Sequence, residues 1–329
     1  DVPKIIARKQ TVVRKLVLGV KGKLTANNVT IVNGEASIVD KNHVLCGDET
    51  YECDNLLLCT GSETFIPPIP GIDTVPYWTH RDALDNKEFP KSLVVIGGGV
   101  IGMEFASFFN SLGVEVTVIE MQDEILGGMD KELSAMLRAE YAKRGIKFML
   151  NTKVVSLDGS TGENGETQVR VNYENAEGTG FSVAEKLLMS VGRRPVTKGF
   201  GLENLNPEKT ERGNIRVDGQ MRTSVPGVYA CGDLTGFSLL AHTAVREAEV
   251  AVHAVLGKKD CMSYRAIPGV VYTNPEIAGV GDTEEALQKK GIPYRTVKLP
   301  MAYSGRFVAE NEGVNGMCKL LLAEDDPVL

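Results

Sequence analysis

The first part of the chain changes from a helical to an extended pattern of apolar positions. In residues 1–26 apolar side chains recur at helical spacing, and Lys and Arg fill much of the remaining surface. This pattern predicts an amphipathic helix whose basic face is solvated. Short apolar runs separated by Asn, Gly and Asp then predict strands at 29–32, 36–39, 44–46 and 56–59.

The chain beyond Pro90 alternates between strand and helix patterns. Strands are predicted at 93–96, 114–119 and 147–150, with helices at about 100–112 and 130–144 between them. This βαβαβ order predicts a parallel sheet with right-handed crossovers, and therefore an α/β fold class. The later elements expected are a meander over 153–191 with a hairpin tip at 158–167 and an apolar end at 187–191, a strand at 228–231, a helix at 240–256 and an α+β segment from Pro268.

Composition narrows the class of protein. The 329 residues are 43% hydrophobic and 24% charged, a mixture typical of a soluble protein of two or three domains. The formal net charge of −7 argues against a nucleic-acid-binding protein, because phosphate contacts need concentrated Lys and Arg. No apolar run reaches the roughly 18–20 residues of a membrane-spanning helix, so no membrane partner is expected. The sequence opens on Asp1 without a signal or transit segment, and both ends look cut.

Six cysteines are scattered along the chain without a Cys-x-x-Cys pair, which weakens zinc-site and thioredoxin-like interpretations. They are Cys46, Cys53, Cys59, Cys231, Cys261 and Cys318. We expect ordinary buried thiols in a reducing compartment, and no metal site.

A glycine-rich turn connects the strand at 93–96 to the helix that follows it. Its residues are Gly97, Gly98, Gly99, Val100, Ile101 and Gly102, a GxGxxG match. Gly97 would permit the tight turn, Gly99 the approach of a pyrophosphate to the backbone, and Gly102 the close packing of helix on strand. The diphosphate would lie at the helix N-terminus, where free N–H groups and the helix dipole favour an anion.

Two acidic residues accompany this turn. Glu120 ends the next strand, where it can accept hydrogen bonds from both ribose hydroxyls of NAD and would repel the extra phosphate of NADP. Because residues 121–124 contain no Arg or Lys, we predict NAD as the nucleotide. Glu104 lies in the first turn of the helix and could serve only the helix dipole, but its apolar neighbours predict a partly buried carboxylate with a cationic partner.

Further motifs follow one another in the order found in a single enzyme family. They are Leu-Cys-Thr-Gly-Ser-Glu at 58–63, the GxGxxG with Glu104, Gly-Gly-Met-Asp at 127–130, Val-Gly-Arg-Arg-Pro at 191–195, Gly-Asp at 232–233, Leu-Leu-Ala-His at 239–242 and Tyr-Thr-Asn-Pro-Glu at 272–276. In these motifs the chain resembles the flavoprotein disulfide reductases that bind two dinucleotides, and among them the dihydrolipoamide dehydrogenases.

The resemblance implies a Rossmann-like NAD-binding domain inserted in an FAD-binding domain and followed by an incomplete α+β dimer-interface domain. The second half of the FAD-binding domain would occupy 1–72, and the NAD-binding domain 73–196. The chain would return to the FAD-binding domain at 197–264 and begin the interface domain at 265–329.

The resemblance also implies which residues contact the two cofactors, FAD and NAD. The expected FAD contacts are the backbone near Ala36, the turn of Thr60, Gly61 and Ser62, then Asp233 on the ribityl chain, and a helix N-terminus at Leu239, Leu240, Ala241 and His242. The expected NAD contacts are Gly97, Gly98, Gly99, Val100, Ile101, Gly102, Met103, Glu104, Glu120, Val155 and Gly192. His242 could be read as a general base, but the family uses this position through its backbone. The family also pairs the acid at 104 with a lysine on a segment that this sequence lacks.

The implied activity is the oxidation of a dithiol, with FAD passing two electrons to NAD. The dithiol would be the dihydrolipoyl group of a 2-oxo acid dehydrogenase or glycine cleavage complex. Neither the family's Cys-x-x-x-x-Cys pair nor its catalytic His and Glu is found in this sequence, so no catalytic residue is assigned and the chain alone is expected to be inactive. The expected partners are a dihydrolipoyl domain and a second copy of the chain, in a bacterial cytoplasm in preference to a mitochondrial matrix. The alternatives are a glutathione or mercuric reductase, an NADH oxidase, and a non-catalytic NADH-binding module.

Overall fold

The computed structural model describes residues 1–162, 165–313 and 315–323. Its α-helices are α1 (Val2–Ala26), α2 (His80–Asp85), α3 (Val100–Ser111), α4 (Lys131–Lys143), α5 (Ala241–Val255), α6 (Glu284–Lys290) and α7 (Gly305–Glu310). Its β-strands are β1 (Ala36–Asp40), β2 (His43–Cys46), β3 (Glu49–Glu52), β4 (Leu56–Leu58), β5 (Ser62–Thr64), β6 (Ser92–Ile96), β7 (Glu115–Ile119), β8 (Lys147–Met149), β9 (Lys153–Thr161), β10 (Thr167–Asn175), β11 (Gly178–Ala184), β12 (Lys186–Met189), β13 (Arg193–Pro195), β14 (Val228–Ala230), β15 (Gly269–Val271), β16 (Ile277–Gly279), β17 (Arg295–Pro300) and β18 (Met317–Leu322).

The chain forms two compact units. The first contains Asp1–Phe65 and Arg193–Tyr264, and the second contains Ile66–Gly192 and the described residues from 265 onwards. The glycine-rich turn therefore belongs to the second unit, whereas the turns at 60–62 and 232–233 belong to the first.

Helix α1 opens the first unit and confirms the helix predicted over 1–26. Its N-cap, Asp1, accepts a hydrogen bond from the N–H of Lys4 at 3.3 Å, and a proline occupies its first turn. No side chain of α1 is buried, and Leu16 remains 66% exposed. Exposure therefore extends around the whole helix and is not confined to its basic face.

The strands of the first unit pair in three small sheets. Strands β1, β2 and β3 form an antiparallel sheet, β4 pairs in parallel with β14, and β5 pairs in antiparallel with β13. Their core contains Ile38, Leu58, Leu202, Ile215, Val228, Ala230 and Leu234. The strands predicted at 36–39, 44–46, 56–59 and 228–231 are confirmed to within one or two residues at their ends.

The prediction of a strand at 29–32 is wrong. The N–H of Val29 donates to the carbonyl of Leu24 at 3.0 Å, so the segment begins by closing the C-terminal end of α1. None of the described strands forms a ladder with residues 29–32. Apolar composition alone does not make a strand when no neighbour offers its backbone groups.

The second unit contains the parallel sheet that the sequence predicts. Its strand order is β12-β6-β7-β8, all parallel, with α3 and α4 as crossovers, so the βαβαβ prediction is confirmed. Residues 93–96 of β6 are all buried, as expected for a central parallel strand that is covered on both faces. The meander forms as β9, β10 and β11, but the apolar run at 187–191 supplies β12 to the parallel sheet instead. Part of the predicted hairpin tip, residues 163 and 164, lies outside the described residues.

The described residues from 265 onwards form the expected α+β segment. Strand β15 pairs with β16. Strand β17, which follows α6, pairs with β18, which follows α7. Lys319 of β18 has only 4% of its side chain exposed and forms ion pairs with Asp130, Glu132 and Glu284. These pairs tie β18 to the beginnings of α4 and α6, because Asp130 is the N-cap of α4 and Glu284 opens α6.

Among the helices described, we find none that has both the length and the apolar character to cross a bilayer.

The cysteines differ from the expectation of ordinary buried thiols. Cys59 and Cys261 are exposed, Cys231 is buried, and the other three lie between these extremes. Cys59 is exposed because it lies just beyond the carboxyl end of β4, and Cys261 because it lies in the connection that follows α5.

Candidate nucleotide-binding sites

The glycine-rich turn leaves the carboxyl end of β6 and enters α3. Gly97 has φ of +100°, and a Cβ at this residue would lie 2.5 Å from the carbonyl oxygen of Ser190. The Ser190 hydroxyl donates to the carbonyls of Ile96 and Gly97, at 2.9 Å each. Glycine is therefore required at 97 both by the backbone conformation and by the contact with the residues that follow β12.

Two glycines of the turn face different surroundings. Gly99 is the N-cap of α3 without a side-chain cap, and a Cβ there would meet nothing within 4 Å. A Cβ at Gly102 would overlap the carbonyl oxygen of Gly97. The turn is thus open at Gly99, where the N–H groups of the first helical turn are available to an anion, and closely packed at Gly102.

The carboxylate of Glu120 lies against this turn. One of its oxygens accepts the N–H of Gly98 at 2.6 Å, and the other accepts the N–H of Gln122 at 2.7 Å. The carboxylate is therefore held at the carboxyl end of β7, beside the open side of the turn. A half-buried anion at this point and an uncapped helix N-terminus match the ribose and diphosphate groups of NAD, so the residues present fit this nucleotide.

Three other predicted residues of the turn differ in their surroundings. The side chain of Val100 is 41% exposed, and Ile101 is half-buried. Met103 is fully buried in the core, and its N–H donates to the carbonyl of Gly99 at 2.9 Å. The side chain and the backbone N–H of Met103 are thus both engaged in the fold, so this residue packs below the turn.

Glu104 accepts a hydrogen bond that the sequence did not predict. Its carboxylate accepts the backbone N–H of Tyr272 at 2.9 Å. The ion pairs of the described residues do not include Glu104, and the cationic partner stays a prediction because the family's lysine lies on a segment that this sequence lacks. Nothing in the sequence near Glu104 could have identified Tyr272, because the contact spans more than half of the chain.

Gly192 and Val155 lie in different parts of the second unit. Gly192, with φ of +127° and open space around it, follows β12 beside the glycine-rich turn. Val155 is half-buried in β9 of the antiparallel sheet, whereas the turn follows β6 of the parallel sheet.

The first unit brings together the turns that follow β4 and β14. The hydroxyl of Ser62 donates to the carboxylate of Asp233 at 2.5 Å. Since β4 and β14 are parallel neighbours, their carboxyl ends lie at the same edge, which is where open α/β sheets bind ligands. Thr60 and Gly61 are fixed beside this pair: the Thr60 hydroxyl donates to the carbonyl of Val196 at 2.8 Å, and the Val196 N–H donates to the carbonyl of Gly61 at 3.0 Å.

Arg193 is a member of this cluster that was not assigned as a site residue. Its guanidinium donates to the Ser62 hydroxyl at 2.7 Å and to the Ser62 carbonyl at 2.6 Å, and it lies 3.8 Å from the carboxylate of Asp233. The sequence signal was present in the Val-Gly-Arg-Arg-Pro motif, but that motif does not reveal which turn the arginine contacts.

Glu247 is a second residue that sequence reasoning missed. Its side chain is fully buried and accepts the N–H of Gly232 at 2.5 Å and the hydroxyl of Tyr264 at 2.7 Å. Burial raises the pKa of this carboxyl, and the hydrogen bonds that it accepts counteract part of that effect. Glu247 lies on the buried face of α5 with Thr243, Val250, Ala251 and Ala254, and an acid at helical spacing among them was the available signal.

The N-terminus of α5 carries the remaining predicted FAD contacts. Leu240 is its N-cap and provides no side-chain cap, so the first N–H groups of α5 are available to a ligand. Leu239 and His242 are exposed. This uncapped terminus and the Ser62–Asp233 pair belong to the same unit and fit a ligand that bears hydroxyl and anionic groups. Ala36 begins β1 and is exposed, and no described hydrogen bond joins it to this cluster.

The chain matches known proteins over its whole length. The pyridine nucleotide-disulphide oxidoreductase family matches residues 1–248, and the dimerisation domain of the same family matches residues 267–329. Dihydrolipoyl dehydrogenase 1, mitochondrial, of Arabidopsis thaliana is 37% identical over all of this chain and 65% of its own length. Dihydrolipoyl dehydrogenase of Geobacillus stearothermophilus is 39% identical over all of this chain and 69% of its own length.

Solved structures show the same relationship. The HOCl-induced flavoprotein disulfide reductase RclA of Escherichia coli, as its Cu(II) complex, has a TM-score of 0.86 and 29% identity over 97% of this chain and 72% of its own. LpdA of Mycobacterium tuberculosis has a TM-score of 0.85 and 28% identity over 98% of this chain and 71% of its own. The fold class and the cofactors that were predicted, FAD and NAD, are those of this family.

The chain spans about two thirds of the length of the curated relatives that it matches, and these include both bacterial and mitochondrial proteins. With its glycine-rich turn, its parallel sheet and matches to both family domains, the chain belongs to the pyridine nucleotide-disulphide oxidoreductase family.

Proposed function

We propose that the chain is part of a dihydrolipoyl dehydrogenase, an enzyme in which electrons pass from a dihydrolipoyl group through FAD to NAD. The observation that carries the nucleotide assignment is the carboxylate of Glu120, held by the N–H of Gly98 at the open side of the turn. The dithiol substrate is proposed from the relatives, which are dihydrolipoyl dehydrogenases at 37% and 39% identity.

Each group of residues has a distinct part in this proposal. The free N–H groups at the start of α3 would hold the diphosphate of NAD, and Glu120 would accept from its ribose hydroxyls. Asp233, oriented by Ser62 and Arg193, would accept hydrogen bonds from the ribityl hydroxyls of FAD. Bound FAD supplies the two-electron carrier chemistry, and the residues of this chain bind and orient the cofactors.

The partners follow from the same relationship. The match of the dimerisation domain to residues 267–329 supports a homodimer. A dihydrolipoyl domain of a multienzyme complex is the proposed source of the dithiol, in a bacterial cytoplasm or a mitochondrial matrix. We also infer that the 329 residues alone do not turn over dihydrolipoamide, because no two of their cysteines have four residues between them.

Calorimetric titration of the chain with NADH and, separately, with NADPH tests the nucleotide assignment. Tighter binding of NADH is expected, because the carboxylate of Glu120 would repel the extra phosphate of NADPH. A preference for NADPH would contradict the assignment and favour a relative of the glutathione reductases. Binding of neither nucleotide by a chain with native circular dichroism would contradict the proposed NAD site itself.

A further inference from the structure

Two cysteines from distant parts of the sequence meet in the first unit. Cys59 follows β4 directly and Cys231 follows β14 directly, and these strands pair in parallel with Leu58 opposite Ala230. The N–H of Cys231 donates to the carbonyl of Leu58 at 3.1 Å, so the ladder continues to the cysteines. Their Sγ atoms are 3.4 Å apart.

This geometry suits a disulfide. Neighbouring strands are about 4.8 Å apart, which lies within the range of about 4.4–6.8 Å between the Cα atoms of bridged cysteines. The two side chains already point to the same side of the strand pair, because their sulfur atoms are in contact. Bonding at about 2.05 Å would therefore need the two sulfur atoms to approach by about 1.4 Å.

The two thiols differ in exposure and in acidity. Cys59 is exposed and Cys231 is buried. A hydrogen bond from the thiol of Cys231 lowers the pKa of Cys59, and the same bond together with burial raises the pKa of Cys231. Cys59 is therefore the thiol that an external reagent reaches first and the better nucleophile of the pair.

We propose that Cys59 and Cys231 form an intrachain disulfide when the chain meets a low-molecular-weight disulfide such as oxidised glutathione. The Cys59 thiolate attacks one sulfur of the reagent, which forms a mixed disulfide and releases one glutathione thiolate. The Cys231 thiol then loses its proton and attacks the Cys59 sulfur, which closes the protein disulfide and releases the second glutathione. The two protein thiols together lose two electrons, and the reagent gains them and becomes two thiols.

The disulfide would cross-link the two turns of the proposed flavin site. Cys59 directly precedes Thr60, and Cys231 directly precedes Gly232, so the bond would join the bases of the two turns that carry Ser62 and Asp233. This consequence rests on the proposed function, whereas the disulfide itself does not.

Mass spectrometry of the chain treated with oxidised glutathione tests the disulfide. The expected product has lost two hydrogens and, after tryptic digestion without reductant, contains the peptide 42–81 joined to the peptide 223–246. A stable glutathione adduct on Cys59 with Cys231 still free to react with an alkylating reagent after unfolding would overturn the proposal.

Variants show which cysteines are joined, because Cys46 and Cys53 share the peptide that contains Cys59. Cys59→Ser is expected to abolish the cross-linked peptide, and the matched control Cys53→Ser to retain it. Cys231→Ser is expected to accumulate the mixed disulfide on Cys59, because the resolving thiol is gone. Persistence of the cross-link in Cys59→Ser would exclude this pair. Because Cys59 is exposed, its replacement disturbs the fold least among the three variants.

A second measurement separates the disulfide from the flavin site. The same oxidation is repeated on the FAD-loaded full-length protein, and alkylation of the exposed thiol of Cys261 serves as an internal reference. Bound FAD is expected to slow formation of the Cys59–Cys231 bond several-fold while Cys261 reacts as before. An unchanged rate would contradict the flavin site beside these turns, while absence of the cross-link from the chain without FAD would contradict the disulfide.

Discussion

In the proposed site, the carboxylate of Glu120 would select the nucleotide through two properties, its charge and its fixed position. The N–H groups of Gly98 and Gln122 hold both of its oxygens, so the carboxylate does not need to be ordered when a nucleotide arrives. Preorganisation of this kind lowers the cost of binding. A negative charge fixed at the turn also acts against any nucleotide with a phosphate at that point.

We predict that Glu120→Gln binds NADH about tenfold more weakly, because a neutral amide replaces a charged acceptor of the ribose hydroxyls. The variant should also discriminate less between NADH and NADPH. Calorimetric titration with both nucleotides measures the two effects. Glu115→Gln is the matched control, since Glu115 is exposed at the start of the same strand, β7. Equal losses of NADH affinity in the two variants would show that the effect is not specific to Glu120.

Glu247 makes the stability of the first unit depend on pH. Burial raises its pKa above the ordinary 4.5, so the folded state holds the proton more tightly than the unfolded state does. The stability that the protonated carboxyl of Glu247 contributes is fully present below pH 4.5 and is lost as the pH rises through the raised pKa. A glutamine at this position has no proton to lose.

We therefore predict that the free energy of unfolding of the wild type, relative to Glu247→Gln, falls as the pH is raised from below 4.5 to neutrality. Urea unfolding of both proteins across this pH range, followed by circular dichroism, measures the difference. Glu249→Gln provides the control, because Glu249 is an exposed acid of the same helix. A difference that stays constant with pH would contradict the raised pKa of Glu247.

At the scale of elements, the turn between β6 and α3 separates binding from packing. Gly99 has open space where a Cβ would be, whereas a Cβ at Gly102 would overlap the carbonyl oxygen of Gly97. Gly99 has φ of −70°, a backbone conformation that any residue adopts, whereas α3 cannot approach the strand without glycine at 102.

We predict opposite effects for alanine at the two positions. Gly99→Ala should leave the midpoint of thermal unfolding within a few degrees of the wild type and weaken NADH binding at least tenfold, because the methyl group fills the approach to the helix N-terminus. Gly102→Ala should lower the stability by about 1–3 kcal/mol through overpacking. Calorimetric unfolding and NADH titration of both variants measure the two quantities, and a Gly99→Ala protein that binds NADH normally would show that the diphosphate does not approach this glycine.

The elements show why some of the fold could be predicted and some could not. Strand β6, the turn and α3 are local in the sequence, and their periodicity and glycine spacing predict them without any distant partner. The segment 29–32 has the composition of a strand, but whether a ladder forms depends on a neighbour elsewhere in the chain. The role of Arg193 also depends on a distant contact, because it is β13 pairing with β5 that brings its guanidinium to Ser62.

At the scale of the whole molecule, the two proposed cofactor sites belong to different compact units. The cluster of Ser62, Arg193 and Asp233 lies in the first unit, and the glycine-rich turn with Glu120 lies in the second. A chain that leaves one compact unit, forms another and returns to the first can in this way build two sites from separate sets of strands. A ligand that binds one of the two sites therefore directly increases the stability of the unit that contains that site.

The only tryptophan of the sequence makes this separation measurable. Trp78 belongs to the second unit, where its ring stacks on Phe109 of α3 at 5.9 Å. Its backbone N–H donates to the carbonyl of Leu187 at 2.7 Å, so Trp78 contacts β12 through its backbone and the helix that the glycine-rich turn begins through its ring. Tryptophan fluorescence therefore reports on the unit that carries the proposed NAD site.

We predict that NAD⁺ at about a hundred times its dissociation constant stabilises the unfolding transition seen by Trp78 by about 2.7 kcal/mol, the value expected for a ligand that binds only the folded state. NADP⁺ at the same concentration should shift this transition less, and Glu120→Gln should reduce the difference between the two nucleotides. Urea unfolding followed by tryptophan emission measures all of these shifts. If titration showed NAD⁺ binding while the Trp78 transition did not move, the nucleotide would have to bind outside the second unit, and the assignment of the glycine-rich turn would be wrong.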